Sequence, residues 1–163
     1  MERPIFKPIG TPTEELDTPS LIVDGGVLNE NIETMASFFR DRPQKLRPLV
    51  SSHRSPTIAH KQIRAGGTVE GIAVTTLGQA EIFITSGFTD VYIANLVVTK
   101  AKITRLCALT KHATVTVAVD SQANVDDLND NATRKDTTIR VIIYVNAGGG
   151  LFGVDPGQEA VDL

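Results

Sequence analysis

At 163 residues and a net charge of −3, the chain is long enough to bury the core of one domain and carries no basic surface for nucleic acid. Hydrophobic residues make up 41% but aromatic ones only 5%, so the core must be aliphatic; no run reaches the ~18 apolar residues of a membrane span. A single cysteine forbids an internal disulfide, and Met1-Glu2-Arg3-Pro4 lacks a signal-peptide apolar region, so the expectation is a reducing compartment, the cytoplasm.

Residues 1–16 are rich in Pro, Thr and Glu and read as an extended lead-in, with one folded domain expected over residues 17–163. Asp17-Thr18-Pro19 is a turn signal, and Ser20 to Asp24 follows as a short strand. Leu28, Ile32, Met35 and Phe39 recur at three- and four-residue spacing, which predicts an amphipathic helix over 27–40. Leu46 to Val50 is an apolar strand ending in the polar turn Ser51-Ser52-His53-Arg54, after which Ser55 as N-cap and Pro56 at the first position open a helix to Ala65. Gly66-Gly67 closes it.

Val69 to Val74 is the next strand. Thr76-x-x-Gln79 has the spacing of a capping box and predicts a helix from Leu77 to about Ser86. Strands over 90–94, 113–119 and 139–145 alternate with helices over 99–111 and 121–131, and Asn129 to Asp136 reads as a solvated, charged linker. Cys107 falls on the apolar face of its helix with no neighbour to lower its pKa, so it is expected to be a structural thiol. This β-α rhythm means a parallel sheet covered by helices. Closing eight strands normally takes ~200 residues or more, so the fold class is α/β, the first five to six strands of a TIM-type barrel, with an open doubly wound sheet as the alternative.

The run Arg47-Pro48-Leu49-Val50-Ser51-Ser52-His53-Arg54 resembles the cofactor-lysine segment of the D-threonine aldolase and D-serine dehydratase family, Arg-Pro-His-x-Lys-Thr/Ser-His-Lys. That family's barrel is of the alanine racemase N-terminal kind. Asp17-Thr18-Pro19-Ser20-Leu21-Ile22-Val23-Asp24 matches its usual opening, Asp-Thr-Pro-x-Leu-x-x-Asp, and Thr76 with Gly78-Gln79-Ala80-Glu81 follows its Thr-x-x-Glu-Ala-Glu segment. Asn146-Ala147-Gly148-Gly149-Gly150-Leu151-Phe152-Gly153 resembles its Asp-x-Gly-x-x-Arg-x-Gly turn.

The resemblance implies pyridoxal phosphate chemistry on D-3-hydroxy amino acids, by retro-aldol cleavage or dehydration. It implies cofactor contacts at Arg47, Ser52, His53, Thr76 and Asn146. It puts Ser51 at the Schiff-base lysine, Leu49 at a histidine and Leu151 at the arginine that faces the cofactor phenolate. A serine hydroxyl cannot form an imine, so Ser51 and His53 stand at a catalytic position without its amine. The family's divalent-metal ligands lie in a C-terminal part that this sequence does not match, so no metal ligand is expected. A D-amino acid or phosphate ligand, and a homodimer or a barrel-completing chain, are the expected partners; nucleic acid and membrane are not.

Two substitute lysines can be weighed. Lys45 begins the same strand, about 20 Å from position 51 at ~3.3 Å per residue, and Lys61 lies inside a helix on the outer layer. Neither replaces the missing amine. Ser51 with His53 has no acidic orienter and no nucleophile elbow, which argues against a hydrolase. His53 is left either to meet a ligand phosphate or carboxylate or to cap the turn. Read without the family, the three glycines after the last strand are a tight turn or a weak phosphate loop.

Overall fold

The protein, described here over residues 7–163 by a computed structural model, builds helix and strand in alternation. After a short 3₁₀ turn (Thr13–Glu15) come α1 (Gly25–Arg40), α2 (Pro56–Ala65), β1 (Ile72–Val74), α3 (Leu77–Thr85) and β2 (Asp90–Leu96). α4 (Lys100–Leu109), β3 (Thr114–Val119), α5 (Gln122–Arg134), β4 (Arg140–Ile143) and α6 (Gln158–Asp162) complete the order. The helix starts are written in the sequence. Asp24, Ser55, Thr76, Thr99 and Ser121 each turn a side-chain oxygen onto a backbone amide three residues on, satisfying a donor that the first turn leaves free.

The four strands form one parallel sheet in the order β1-β2-β3-β4. Pairing puts Ile72, Val91 and Val115 in one row and Val74, Ile93, Val117 and Val141 in another. All of these except Val141 are fully buried, packed against Leu77, Phe83, Ile103, Leu106 and Leu128 of the helices. The alternate residues line the other, concave face: Leu49, Ala73, Tyr92, Thr116 and Arg140 share one row across the sheet. That face is open, and Leu49 on it is 51% exposed. Successive strands joined by helices on one side are the wall of an α/β barrel, here the first part of one; an independent doubly wound sheet would carry helices on both faces.

Leu46 to Val50 runs parallel to β1 but pairs only through two isolated bridges, Leu46 with Thr68 and Leu49 with Ala73. Pro48 has no N–H to extend a ladder, although its carbonyl still accepts from Ala73. The unequal spacing of the two bridges leaves Val69 to Gly71 outside β1, which is why the expected strand over 69–74 shrinks to three residues. Gly71 is required there. A Cβ would collide with the Arg47 guanidinium and would lie 2.8 Å from the Asp90 carbonyl. Gly67 is equally constrained, with φ +67 and a Cβ position 2.5 Å from the Ala36 carbonyl, so α1 packs directly on the end of α2.

Other differences have equally local causes. Ser20 to Asp24 carries no regular secondary structure and pairs with no strand among the described residues, and Leu21 is fully exposed. The lead-in contains the 3₁₀ turn, and residues 1–6 lie outside the described part. The stretch read as a linker is helical through Arg134, because Leu128 and Ala132 continue the buried stripe of α5. β4 stops at Ile143, where Tyr144 and Asn146 turn to pair with Val154. Cys107 is buried, and burial pushes its thiol pKa up, away from nucleophilic reactivity.

Candidate active site

The carboxyl ends of all five parallel segments point the same way; the turns that leave them carry Ser51, Thr75, Asp120 and Asn146, and Asn95 lies near the end of β2. Ser51 is the centre of a closed polar cluster. Its Oγ donates to Gln79 Oε1 at 2.8 Å and accepts from the Thr75 amide at 3.0 Å and Thr75 Oγ1 at 3.1 Å. Gln79 Oε1 also accepts from the Thr75 amide at 3.1 Å and Thr75 Oγ1 at 3.2 Å. Thr76 caps α3 by accepting from the Gln79 amide at 3.2 Å. The capping-box pair is thus half realised: the Gln79 side chain reaches past Thr76 to the preceding residue and to Ser51. On the other side of the Thr75 peptide, Asn95 Nδ2 donates to its carbonyl at 3.3 Å.

Every member of this cluster is neutral. The Ser51 proton is directed at an amide oxygen, which is no base, so the hydroxyl is not activated as a nucleophile. His53 does not supply the base. Its Nδ1 accepts from the Ser55 amide at 3.1 Å, which leaves the proton on Nε2 to be donated to Gln62 Oε1 at 3.2 Å. Its ring lines a 340 Å³ cleft between α1 and α2, beside Leu28, Ile32, Met35 and Leu46. The chain reverses at Arg54, whose φ is +53, and the Ser51 and His53 side chains share no hydrogen bond.

The other expected contacts are dispersed. Arg47 sits at the amino ends of the strands, paired to Asp90 through two contacts of 2.9 and 3.2 Å and donating to the Ile72 carbonyl at 3.3 Å. Ser52 is exposed and only closes its own turn on the Leu49 carbonyl. Asn146 Oδ1 accepts from the amides of Gly148 and Gly150, both at 3.1 Å, so the glycines fold around a side chain of this chain. Leu151 is 87% exposed at the tip of that loop. Gly153 anchors the loop by donating to Asp120 Oδ2 at 3.1 Å. Thr75, Gln79, Asn95 and Asp120 were not singled out in the sequence; Gln79 had a signal, its spacing from Thr76, but read as a cap alone.

An imine-forming cofactor needs an amine here, and the residues present do not fit it. Lys45 is spent at the far end of its segment, donating to the carbonyls of Phe39 and Arg40, and Lys61 donates to Asn29 Oδ1 between helices. Lys100 and Lys102 do open α4 at the carboxyl-end side, but on the exposed outer layer. Among the described residues, no group of three or more His, Cys, Asp or Glu could hold a metal ion, and no helix is long and apolar enough to cross a membrane.

Comparison with known proteins agrees with the framework. The family described as alanine racemase, N-terminal domain, matches residues 23–163. A 3-hydroxy-D-aspartate aldolase of Paracoccus denitrificans is 33% identical over 155 residues, 94% of this chain and 40% of its own length. A D-threonine aldolase of an Arthrobacter species is 31% identical over 161 residues, again 94% of this chain and 42% of its own length. The crystal structure of D-threonine aldolase from Filomicrobium marinum superposes with a TM-score of 0.85 at 36% identity, covering 90% of this chain and 39% of that one. The chain therefore spans about two fifths of the length of the relatives it matches. A match over residues 23–163, on a parallel sheet with one helical layer, makes the chain a member of the alanine racemase N-terminal domain family.

Proposed function

We propose that this chain carries the barrel framework of an enzyme acting on D-3-hydroxy amino acids but has lost the covalent step at its centre. The observation that carries the reading is the Ser51–Thr75–Gln79 cluster: where the family resemblance calls for a Schiff-base lysine, a serine is present and its hydroxyl is fully engaged. Leu151, at the position of the arginine that would face the cofactor phenolate, supports the same reading. The relatives named as aldolases supply the substrate class, 3-hydroxy-D-aspartate and D-threonine. Pyridoxal phosphate, implied by the resemblance, is not joined to this chain as an imine.

The second reading is a non-catalytic module that holds a small phosphate- or carboxylate-bearing ligand at the same carboxyl ends. The open concave face with half-buried Tyr92 favours it. Adding pyridoxal phosphate to the purified chain separates an imine from either reading. The free-aldehyde spectrum is expected to persist, with no turnover of D-threonine; a saturable imine band with aldehyde release would overturn the proposal.

A further inference from the structure

The concave face of the sheet keeps one charge unmatched. Among residues of the parallel segments whose side chains turn to that face, the charged ones are Arg47, Asp90 and Arg140. Arg47 and Asp90 neutralise each other through their contacts at 2.9 and 3.2 Å. Arg140 forms no ion pair and no side-chain hydrogen bond among the described residues. Asp120 lies in the turn beyond β3, about 13 Å along the strand from Thr116 at ~3.3 Å per residue, and its carboxylate accepts from the Gly153 amide. Arg64 and Arg134 also lack a partner, but each occupies the last turn of its helix, where the dipole favours a cation. Arg140 opens a strand instead, and a guanidinium left unmet inside a concavity draws anions because the surrounding walls focus its field.

Its neighbours supply neutral donors. Thr116 is its partner on β3 and Tyr92 the next in the row on β2, so the three backbones span about 10 Å at ~4.8 Å between strands. Neither hydroxyl is taken up by a hydrogen bond among the described residues. Burial pushes the Tyr92 phenol above its usual range, and Tyr144 near it adds to the shift, so the hydroxyl keeps its proton and can donate. Tyr144 turns to the same face with its ring against Phe152, centroids 4.6 Å apart, and gives the concavity an aromatic rim.

We propose that Arg140, flanked by Thr116 and Tyr92, anchors the carboxylate of a small molecule on the concave face. The charge balance selects the ligand. One guanidinium among neutral hydroxyls matches a single negative charge, and its planar fork suits the two oxygens of a carboxylate. A phosphate dianion would leave a charge unmet, since the other cation on this face is already bound to Asp90. The two free hydroxyls both donate and accept, which fits a carboxylate with a hydroxyl or amino group beside it. The anchor shares its row with Leu49, about 7 Å from the level of Ser51, so it is separate from the Ser51 cluster. The inference rests on the second reading above, a module that holds a small anion, and names the group that would hold it.

The test titrates the full chain with D-threonine, succinate or inorganic phosphate and follows the Arg140 Nε–H and Thr116 amide resonances by NMR. Saturable shifts at both are expected with the two carboxylates, and weaker binding with phosphate. Arg140→Gln should weaken carboxylate binding by at least about tenfold, read at Thr116, and Arg140→Lys should restore only part of it, because the charge returns without the fork. Arg134→Gln, on the outer layer, should change nothing. Arg140 is exposed and unpaired, so its variants should keep the denaturation midpoint of the wild type; were Arg140→Gln unstable, the wild-type Arg140 Nε–H shift and Arg140→Lys decide. Binding that shifts Ser51 and Thr75 and survives Arg140→Gln would overturn the anchor while the module reading stands. Tighter binding of phosphate than of either carboxylate would overturn the ligand class. No saturable binding of any probe would overturn the anchor and the module reading together.

Discussion

Ser51 sits in a turn whose chemistry the backbone organises before any ligand is considered. Its Oγ and Gln79 Oε1 share the Thr75 amide and hydroxyl between them, so deleting one partner leaves different debts. With Ser51→Ala, Thr75 keeps Gln79 as acceptor, and the expected loss is about 0.5–1.5 kcal/mol. With Gln79→Ala, the Ser51 hydroxyl loses its only acceptor in a half-buried site, and about 1–3 kcal/mol is expected. Denaturant melts of both variants check the order; equal losses would mean that the cluster is not wired as described. At the opposite end of the strands, Gly71→Ala drives a methyl group into the Arg47–Asp90 pair and should cost about 1–3 kcal/mol by overpacking, read by the same melts. Of these residues Ser51 and Arg47 were visible in the sequence as chemically meaningful, because their meaning came from a motif. Gln79 and Asn95 act across turns, and one-dimensional spacing does not contain those approaches.

Helices α3 and α4 are held to the sheet by Leu77, Phe83, Ile103 and Leu106, all buried. Phe83→Ala should cost about 3–5 kcal/mol. A surface tie joins the same two helices: Arg105 Nε and Nη2 donate to the Glu81 carboxylate at 2.8 and 2.5 Å. The guanidinium beside Glu81 holds its carboxyl below the usual carboxylate range. The stability this adds is therefore fully present above the ordinary carboxylate pKa and is lost as pH falls through the lowered folded value. The urea midpoints of wild type and Glu81→Gln should differ near pH 7 and converge in acid, and the difference should shrink in high salt. A gap that widened on acidification would have the wrong sign. Element boundaries were less legible than element types. Pro48, Gly71 and the Val145–Val154 pairing each cut a strand short, and all three are tertiary constraints on stretches that look uniformly β-prone in sequence.

For the molecule as a whole, fold class was the most legible property. Alternating strands and helices with a capping residue before each of α1 to α5 leave few architectures, and four parallel strands in sequential order with helices on one face are the one observed. How the wall curves, and which apolar residues it leaves uncovered, was not legible, because Val141 and Ile143 follow the same alternating pattern as Val115 and Val117. Only the position at the free edge distinguishes them. Amide exchange across the isolated chain should grade accordingly, slowest in β2 and β3, which are paired on both sides, and fastest at Val141 and Ile143. Uniform protection across β4 would contradict the open edge.

The central claim is that this family framework survives around a site without its amine. Pyridoxal phosphate titrated into the full chain, followed by borohydride reduction and peptide mass mapping beside a Ser51→Lys variant, tests it most directly. The wild type should yield no stoichiometric reduced adduct, while the variant gains one on the peptide containing position 51. A saturable adduct on one wild-type lysine, with Lys100 or Lys102 at the carboxyl-end side the positions to inspect first, would contradict the account and identify a relocated amine.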